Sequence, residues 1–328
     1  MSAPRVLMEY LRLAADYLGR CGSPSARLDA ELLLGHVLGM DRVALYVNHD
    51  RPLEPAEVDA YRRVLRERCR GTPIAYITGK KEFMRVTLKV TPEVLIPRPE
   101  TELLVEAVVH HLQARPHREG ANAVSGAAGS EAGADVSLLL ADVGTGSGAI
   151  AIGLALALPG ARVLATDVSP GALAVARDNV TAQRLDGRVM LMQGDLLAPV
   201  AEALKAGKIE FLDAIVSNPP YISARTWDSL PRSVRDYEPR LALDGGPDGL
   251  DVYRRLIPQA APLLRPGGLL ALEIGHDQEP ALRELLARDG RWGDVQVQKD
   301  YAGHPRVVLA TRRAGEGQPR HGNASGHR

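Results

Sequence analysis

The tetrapeptide Asn218-Pro219-Pro220-Tyr221 is the stretch of this chain whose residue types and order best suit chemistry. Asn218 carries a side-chain carbonyl that accepts hydrogen bonds. Proline has no backbone donor, so the carbonyl of Pro219 stands with no competing N–H beside it. Two acceptors converging on one point suit an NH2 group on a planar, conjugated carbon, either a carboxamide or the exocyclic amine of a base. Such a nitrogen is a poor nucleophile because its lone pair is delocalised. Holding both of its hydrogens lets the lone pair localise towards an electrophile, with positioning and electrostatics carrying the rate. The ring of Tyr221 can stack on a flat substrate.

A buried strand must present this tetrapeptide. The apolar run Phe211-Leu212-Asp213-Ala214-Ile215-Val216 precedes it and reads as a central strand of a parallel sheet. Two consecutive prolines cannot continue such a strand, so the chain leaves the sheet at Asn218. It leaves at the carboxyl end, the edge where open α/β sheets bind ligands. Pro-Pro alone would read as a turn. Its place downstream of a glycine-rich loop favours a substrate site.

That loop is Asp142-Val143-Gly144-Thr145-Gly146-Ser147-Gly148-Ala149, a strand running into a turn and then a helix. Its glycines permit unusual dihedrals and close backbone approach, and the helix start supplies free N–H groups. Asp167 ends the next strand and is placed to accept from both hydroxyls of a ribose. Asp195, after a third strand, can accept from an adenine amine, with Leu196 flanking the ring. The loop also fits the dinucleotide pattern G-x-G-x-x-G/A with Ala149 in the last place. Hydride chemistry would need a proton donor, and no Ser/Tyr/Lys constellation follows, whereas Asn218-Pro219-Pro220-Tyr221 has no role in it. S-adenosylmethionine, with a ribose and an adenine but no pyrophosphate, is the better ligand.

The remaining elements frame these two loops. From Val6 to about Cys69 the pattern is helical, with Leu7, Tyr10, Leu11 and Ala14, then Leu28, Leu32, Leu33 and Leu34, then Val58, Tyr61, Val64 and Leu65 at helical spacing. A helical bundle over residues 1–70 is expected, followed by a β-hairpin or extended connector over 71–95. A helix beginning near Thr101 and capped by acidic residues opens a third region, 96–312. Within it, residues 114–135 are rich in Gly, Ala and Ser and read as a flexible insertion, and the tail 313–328 reads as disordered. Strands expected at 137–143, 162–167, 188–193, 211–217 and 268–274 alternate with helices, and two more strands flank Asp300-Tyr301-Ala302-Gly303. Such alternation implies a mostly parallel, doubly wound sheet.

Lys+Arg and Asp+Glu are both 40 in 328 residues, a neutral balance that argues against a dedicated nucleic-acid binder. Cys21 and Cys69 stand far apart without metal-ligand spacing, so buried or free thiols in a reducing cytosol are expected and a disulfide is not. His36 and His49 are isolated and read as structural or surface residues. No stretch approaches a membrane span, and the start has no secretory signature, so a cytoplasmic protein is expected.

Together these residues resemble a class I methyltransferase that modifies a planar amino nitrogen. Flanking motifs narrow the resemblance to the peptide chain release factor glutamine methyltransferase family. These are Ala26-Arg27-Leu28-Asp29-Ala30-Glu31-Leu32-Leu33-Leu34, Pro73-Ile74-Ala75-Tyr76-Ile77-x-Gly79-x-x-Glu82-Phe83 and Pro97-Arg98-Pro99-Glu100-Thr101-Glu102. Glu238-Pro239 with Ala242-Leu243-x-Gly245-Gly246, and Lys299-Asp300-x-x-Gly303-x-x-Arg306-Val307, belong to the same set. The match runs from Arg5 to Val308, outside the Gly/Ala-rich insertion and the tail.

The resemblance implies a Rossmann-like, mostly parallel seven-stranded sheet together with a small N-terminal helical bundle. It implies methylation of the glutamine side-chain nitrogen in the Gly-Gly-Gln motif of release factors, with S-adenosylmethionine as cofactor. Gly144, Thr145, Gly146, Ser147, Gly148, Asp167, Asp195 and Leu196 would hold the cofactor, with Asn218 bordering it. Asn218 and Pro219 would hold the glutamine amide, Pro220 would shape the turn and Tyr221 would pack on the substrate side chain. The helical bundle would contact the release factor, in a monomeric enzyme with no stable nucleic-acid binding. The rival reading is an adenine amino-group methyltransferase acting on DNA or RNA. It would have to flip its base and line a basic, aromatic channel, against a neutral balance and 4% aromatic residues. A non-catalytic cofactor-binding adaptor, the third reading, has no need of Asn218.

Overall fold

The computed structural model describes residues 5–114 and 138–314. Most of the expected insertion over 114–135, Ser137, and the tail beyond residue 314 lie outside the described residues. The chain forms two compact units, Met1–Pro97 with Arg225–Leu243, and Arg98–Ala224 with Asp244–Arg328.

The first unit opens with helices α1 (Leu7–Arg20), α2 (Ala26–Leu38), α3 (Arg42–Val47), α4 (Pro55–Cys69) and α5 (Ile74–Thr78). Leu7, Leu11 and Leu18 of α1 repeat at helical spacing and pack with Leu33 and Leu34 of α2 and Tyr61 and Leu65 of α4. The short α3 is absent from the periodic reading; its start is set by Asp41, whose Oδ1 accepts from the Ala44 N–H at 2.7 Å. Helix α2 also differs from expectation, because Leu28 and Leu32 are exposed while Asp29 and Glu31 are buried. Apolar residues on more than one face leave the spacing unable to choose which side turns inward. The buried carboxylates are paired, as burial of charge demands. Asp29 accepts from Ser23 Oγ at 2.6 Å and Arg68 Nε at 2.7 Å. Glu31 accepts from Arg27 Nε, Arg42 Nε and the Tyr46 hydroxyl at 2.6–2.8 Å.

The stretch expected as a β-hairpin or extended connector begins with a short helix that was not expected, α5, ended by Gly79 in the left-handed conformation. An antiparallel hairpin follows, β1 (Lys80–Phe83) on β2 (Val86–Lys89), with Met84 at φ 53° in its two-residue turn. The returning segment Arg225–Leu243 is fastened to this unit. Tyr237 donates its hydroxyl to the Arg70 carbonyl at 2.9 Å, and Glu238 Oε2 accepts from the Ile96 N–H at 3.1 Å.

Cys21 and Cys69 form a disulfide, which corrects the expectation of free thiols. Cys21 caps the end of α1 and Cys69 ends α4; packing brings their Cα atoms to 5.4 Å. Their 48-residue separation along the chain carries no information about that proximity.

The second unit is built on a seven-stranded sheet. Its strands are β3 (Leu139–Val143), β4 (Arg162–Asp167), β5 (Val189–Gln193), β6 (Leu212–Ser217), β7 (Leu264–Glu273), β8 (Trp292–Lys299) and β9 (Pro305–Arg312). The spatial order is β5-β4-β3-β6-β7-β9-β8, parallel as far as β7 and antiparallel beyond it. Helices α6 (Pro99–Gln113), α7 (Ala149–Ala157), α8 (Pro170–Ala182) and α9 (Ala198–Lys205) precede β6, and two more, Asp251–Ala260 and Glu279–Asp289, flank β7. Strands β3 and β6 are buried at every residue, the pattern of parallel strands covered on both faces. This is the doubly wound, class I methyltransferase sheet expected from the sequence. Among the described residues no helix is long and apolar enough to cross a membrane.

Cross-linking across 48 residues restricts the unfolded chain by about 4 kcal/mol in the chain-entropy treatment. In the absence of thiol, Cys69→Ser is expected to lower the unfolding free energy of the first unit by about 2–4 kcal/mol. Excess reductant should bring the parent to the same urea midpoint. Equal midpoints without reductant would contradict the cross-link.

Candidate active site

The strand order reverses between β3 and β6: β4 and β5 continue to one side of β3, β6 and β7 to the other. Such a switch point opens a crevice outside the carboxyl ends of the strands. Val143 lies opposite Ser217 there, and the Ser217 hydroxyl donates to the Val143 carbonyl at 2.7 Å. The glycine loop and Asn218 therefore leave the sheet side by side. Thr166 pairs with Val143, and Gln193 with Asp167, so Asp167 and Asp195 emerge at the same edge.

Gly144, Gly146 and Gly148 have φ of 73°, 55° and 84°, in the left-handed region where a side chain is strained. The N–H groups of Gly144 and Thr145 both donate to the Thr166 carbonyl at 2.9 Å, which pins the loop to β4. Thr145 and Ser147 are buried beneath it. The Thr145 hydroxyl donates to Asp142 Oδ2 at 2.6 Å, and the Ser147 carbonyl accepts from Asn179 Nδ2 at 2.8 Å. Cβ atoms on Gly144 or Gly146 would meet open space. The loop is thus shaped from below by polar side chains and presents bare backbone outward, as close approach of a cofactor requires.

Asp167 accepts from the Gly146 N–H through Oδ2 and from the Ser169 N–H through Oδ1, both at 2.9 Å. A carboxylate offers about four lone-pair sites, so two remain for a pair of ribose hydroxyls. Asp195 pairs with Arg255 on an exposed surface, a contact that holds it weakly. Leu196 has φ 50°, unusual for a branched residue, and its side chain packs on the core beneath. The donor set suits an adenosine-bearing ligand.

Asn218 is half-buried, and its Nδ2 donates to Thr101 Oγ1 at 3.1 Å. Pro219 is buried and Pro220 half-buried behind it. The Tyr221 ring packs against the core, and its hydroxyl donates to Glu273. The turn is held from behind: Gln278 Nε2 donates to the carbonyls of Tyr221 and Gly249 at 3.0 and 3.1 Å. A Cβ on Gly245 would come within 2.9 Å of the Pro220 carbonyl oxygen, so only glycine lets that segment pack so close.

Two carboxyls beneath the site are strongly perturbed. Burial raises Asp142 to about 7, against the hydrogen bonds from Thr145 and Ala151; its Oδ1 has no partner. Burial likewise raises Glu273 to about 7, opposed by the Thr101 and Tyr221 hydroxyls and by the charge of Arg306. Thr101, Glu273 and Gln278 are the residues sequence reasoning missed, and Asp142, named there as the start of the cofactor loop, was given no role of its own. Thr101 lies in the Pro97-Arg98-Pro99-Glu100-Thr101-Glu102 motif but reads there as part of a helix cap. The signal for Glu273 is a lone acid ending the apolar run Leu269-Leu270-Ala271-Leu272.

The chain matches the family described as PrmC N-terminal domain over residues 9–79 and the one described as Methyltransferase small domain over residues 134–231. A release factor glutamine methyltransferase of Moorella thermoacetica is 47% identical over 307 residues, covering 94% of this chain and 99% of the relative. The chain belongs to the release factor glutamine methyltransferase family. Members from Geobacter sulfurreducens and Chlorobaculum tepidum are 41% and 43% identical, covering 89% and 90% of this chain and 92% and 93% of their own lengths. Coverage at this level takes in both units, the glycine loop and the asparagine turn together.

The buried acids generate a prediction. Asp142 stands at about 7 in the folded chain against an ordinary 3.8, so the folded state binds more protons between those values and stability falls as pH rises through them. Below that window the carboxyl is neutral in both states and no charge is buried; above it the penalty for burying the charge is complete. Asp142→Asn keeps an oxygen for Thr145 and Ala151 and removes that group's share of the slope, leaving those of Glu273 and of carboxylates such as Glu31, Glu57 and Asp300, whose lowered values act in the opposite sense. Urea unfolding across a pH series should show stability falling less, or rising more, between about pH 4 and pH 7 in the variant than in the parent. An unaltered slope would mean that Asp142 does not titrate there.

Proposed function

We propose that this protein transfers the methyl group of S-adenosylmethionine to the side-chain amide nitrogen of glutamine in the Gly-Gly-Gln motif of peptide chain release factors. The observation that carries the proposal is the pairing of Val143 with Ser217, from which the cofactor loop and the asparagine turn leave adjacent strands at one switch point. Membership of the family supports the choice of substrate.

The backbone of Gly144 to Gly148 and the carboxylate of Asp167 hold the cofactor, with Asp195 and Leu196 at its adenine end. When bound, S-adenosylmethionine supplies a methyl carbon on a positively charged sulfur, an electrophile that a weak nucleophile can take. Asn218 Oδ1 and the Pro219 carbonyl accept the two amide hydrogens and turn the nitrogen lone pair out of conjugation. Pro220 fixes the turn and Tyr221 forms the wall beside the glutamine side chain. The N-terminal helices contact the release factor away from the glutamine. The enzyme works as a monomer in the cytoplasm, without stable nucleic-acid binding.

Mass spectrometry of a release factor after incubation with enzyme and S-adenosylmethionine should find one added methyl on the Gly-Gly-Gln glutamine. A methyl elsewhere, or none, would refute the assignment. Asn218→Ala is expected to reduce turnover by about 100-fold or more while cofactor affinity by calorimetry stays within about twofold. Asp167→Ala should do the reverse, weakening the cofactor about tenfold through lost hydrogen bonds to the ribose. Unchanged cofactor affinity in that variant would remove Asp167 from the site.

A further inference from the structure

Asn218 can take substrate hydrogens only if its oxygen, and not its NH2, faces outward. The two ends of an amide are alike in size, so shape alone does not choose between them. Hydrogen bonding does. Thr101 is 4% exposed and its hydroxyl has a single hydrogen, donated to Glu273 Oε2 at 2.7 Å. The same carboxyl receives the Tyr221 hydroxyl, and in its ionised form, which both hydroxyls and the charge of Arg306 favour, it acts as acceptor to both. With its proton committed, Thr101 Oγ1 turns only lone pairs towards Asn218, 3.1 Å away. An amide NH2 is attracted there, whereas an amide oxygen would meet another oxygen with no hydrogen between them.

We propose that Thr101 and Glu273 are positioning residues for amide methylation: Glu273 commits the one Thr101 proton, and Thr101 thereby holds Asn218 in the flip that offers its oxygen to the substrate NH2. The inference rests on the amide-site reading of Asn218 and extends it to two residues that act through Asn218. A reversed Asn218 would set NH2 against NH2 and repel the glutamine. The architecture supports the relay. Leu272 pairs with Ser217, so Glu273 lies one residue past the pair at the mouth of β6, and Thr101 sits in the first turn of α6.

The test uses the full chain with purified release factor, comparing Thr101→Val, Thr101→Ser, Asn218→Ala and the Thr101→Val/Asn218→Ala double variant, each with its melting temperature. Thr101→Val should lower kcat on the order of 10- to 100-fold with cofactor affinity unchanged. Thr101→Ser keeps the hydroxyl and should stay within about threefold of the parent. Release-factor affinity should fall about fivefold in each of Thr101→Val and Asn218→Ala and no further in the double variant, because both remove one interaction. Thr101→Ala carries the same expectation should the valine variant not fold. A folded Thr101→Val with parental kcat overturns the relay, as does a serine variant no better than valine, or a double variant whose losses add. Intact turnover and affinity in Asn218→Ala would bring down the amide-site reading and the relay with it. Loss in Asn218→Ala beside an intact Thr101→Val would bring down the relay alone.

Discussion

The parallel pairing of β3 with β6 is the constraint on which the site depends. These strands are separated in sequence by two complete strand–helix units, yet their last residues, Val143 and Ser217, lie side by side and are joined by the Ser217 hydroxyl. Because β4 and β5 extend from β3 while β7 extends from β6, the helices that follow diverge and the crevice between them opens. Everything assigned to cofactor or substrate hangs from that edge. The glycine loop, Asp167 and Asp195 lie on one side of the switch, and Asn218, Thr101 and Glu273 on the other.

Buried polarity is concentrated directly beneath this edge. Asp142 shapes the glycine loop through Thr145 and the Ala151 N–H, and Glu273 collects hydroxyls from Thr101 and Tyr221. Each carboxyl is desolvated, which is costly, and each is placed where it constrains a loop that has no regular secondary structure of its own. The glycines at 245 and 249 serve the same end by steric means, letting one loop lie against the carbonyls of Pro220 and Tyr221. Rigidity in irregular backbone is thus obtained with hydrogen bonds from below and close packing from behind.

Much of this was legible in the sequence. The apolar runs and their glycine and proline punctuation mark the five parallel strands of the main sheet, the central ones because strands covered on both faces have little choice of residue, and the turn at Asp300 to Gly303 marks the antiparallel pair β8 and β9. Asn218-Pro219-Pro220-Tyr221 is legible because consecutive prolines end a strand. What was not legible depends on contacts distant along the chain. The Cys21–Cys69 bond needs α1 and α4 packed together before it can be inferred. The burial of Asp29 and Glu31 in preference to Leu28 and Leu32 depends on arginines supplied by α2, α3 and α4. Thr101 and Asn218 are 117 residues apart, and Thr101 and Glu273 are 172 apart, beyond the reach of any local pattern.

Those separations have a kinetic meaning. Local contacts close quickly, whereas one spanning 172 residues must wait for the loop between its ends to be drawn in. During synthesis the residues that pin the glycine loop to β4 emerge well before β7, so the contacts that shape the loop become available earlier in translation than the one that orients the asparagine. The contact that holds the asparagine waits on β7, the strand that delivers Glu273.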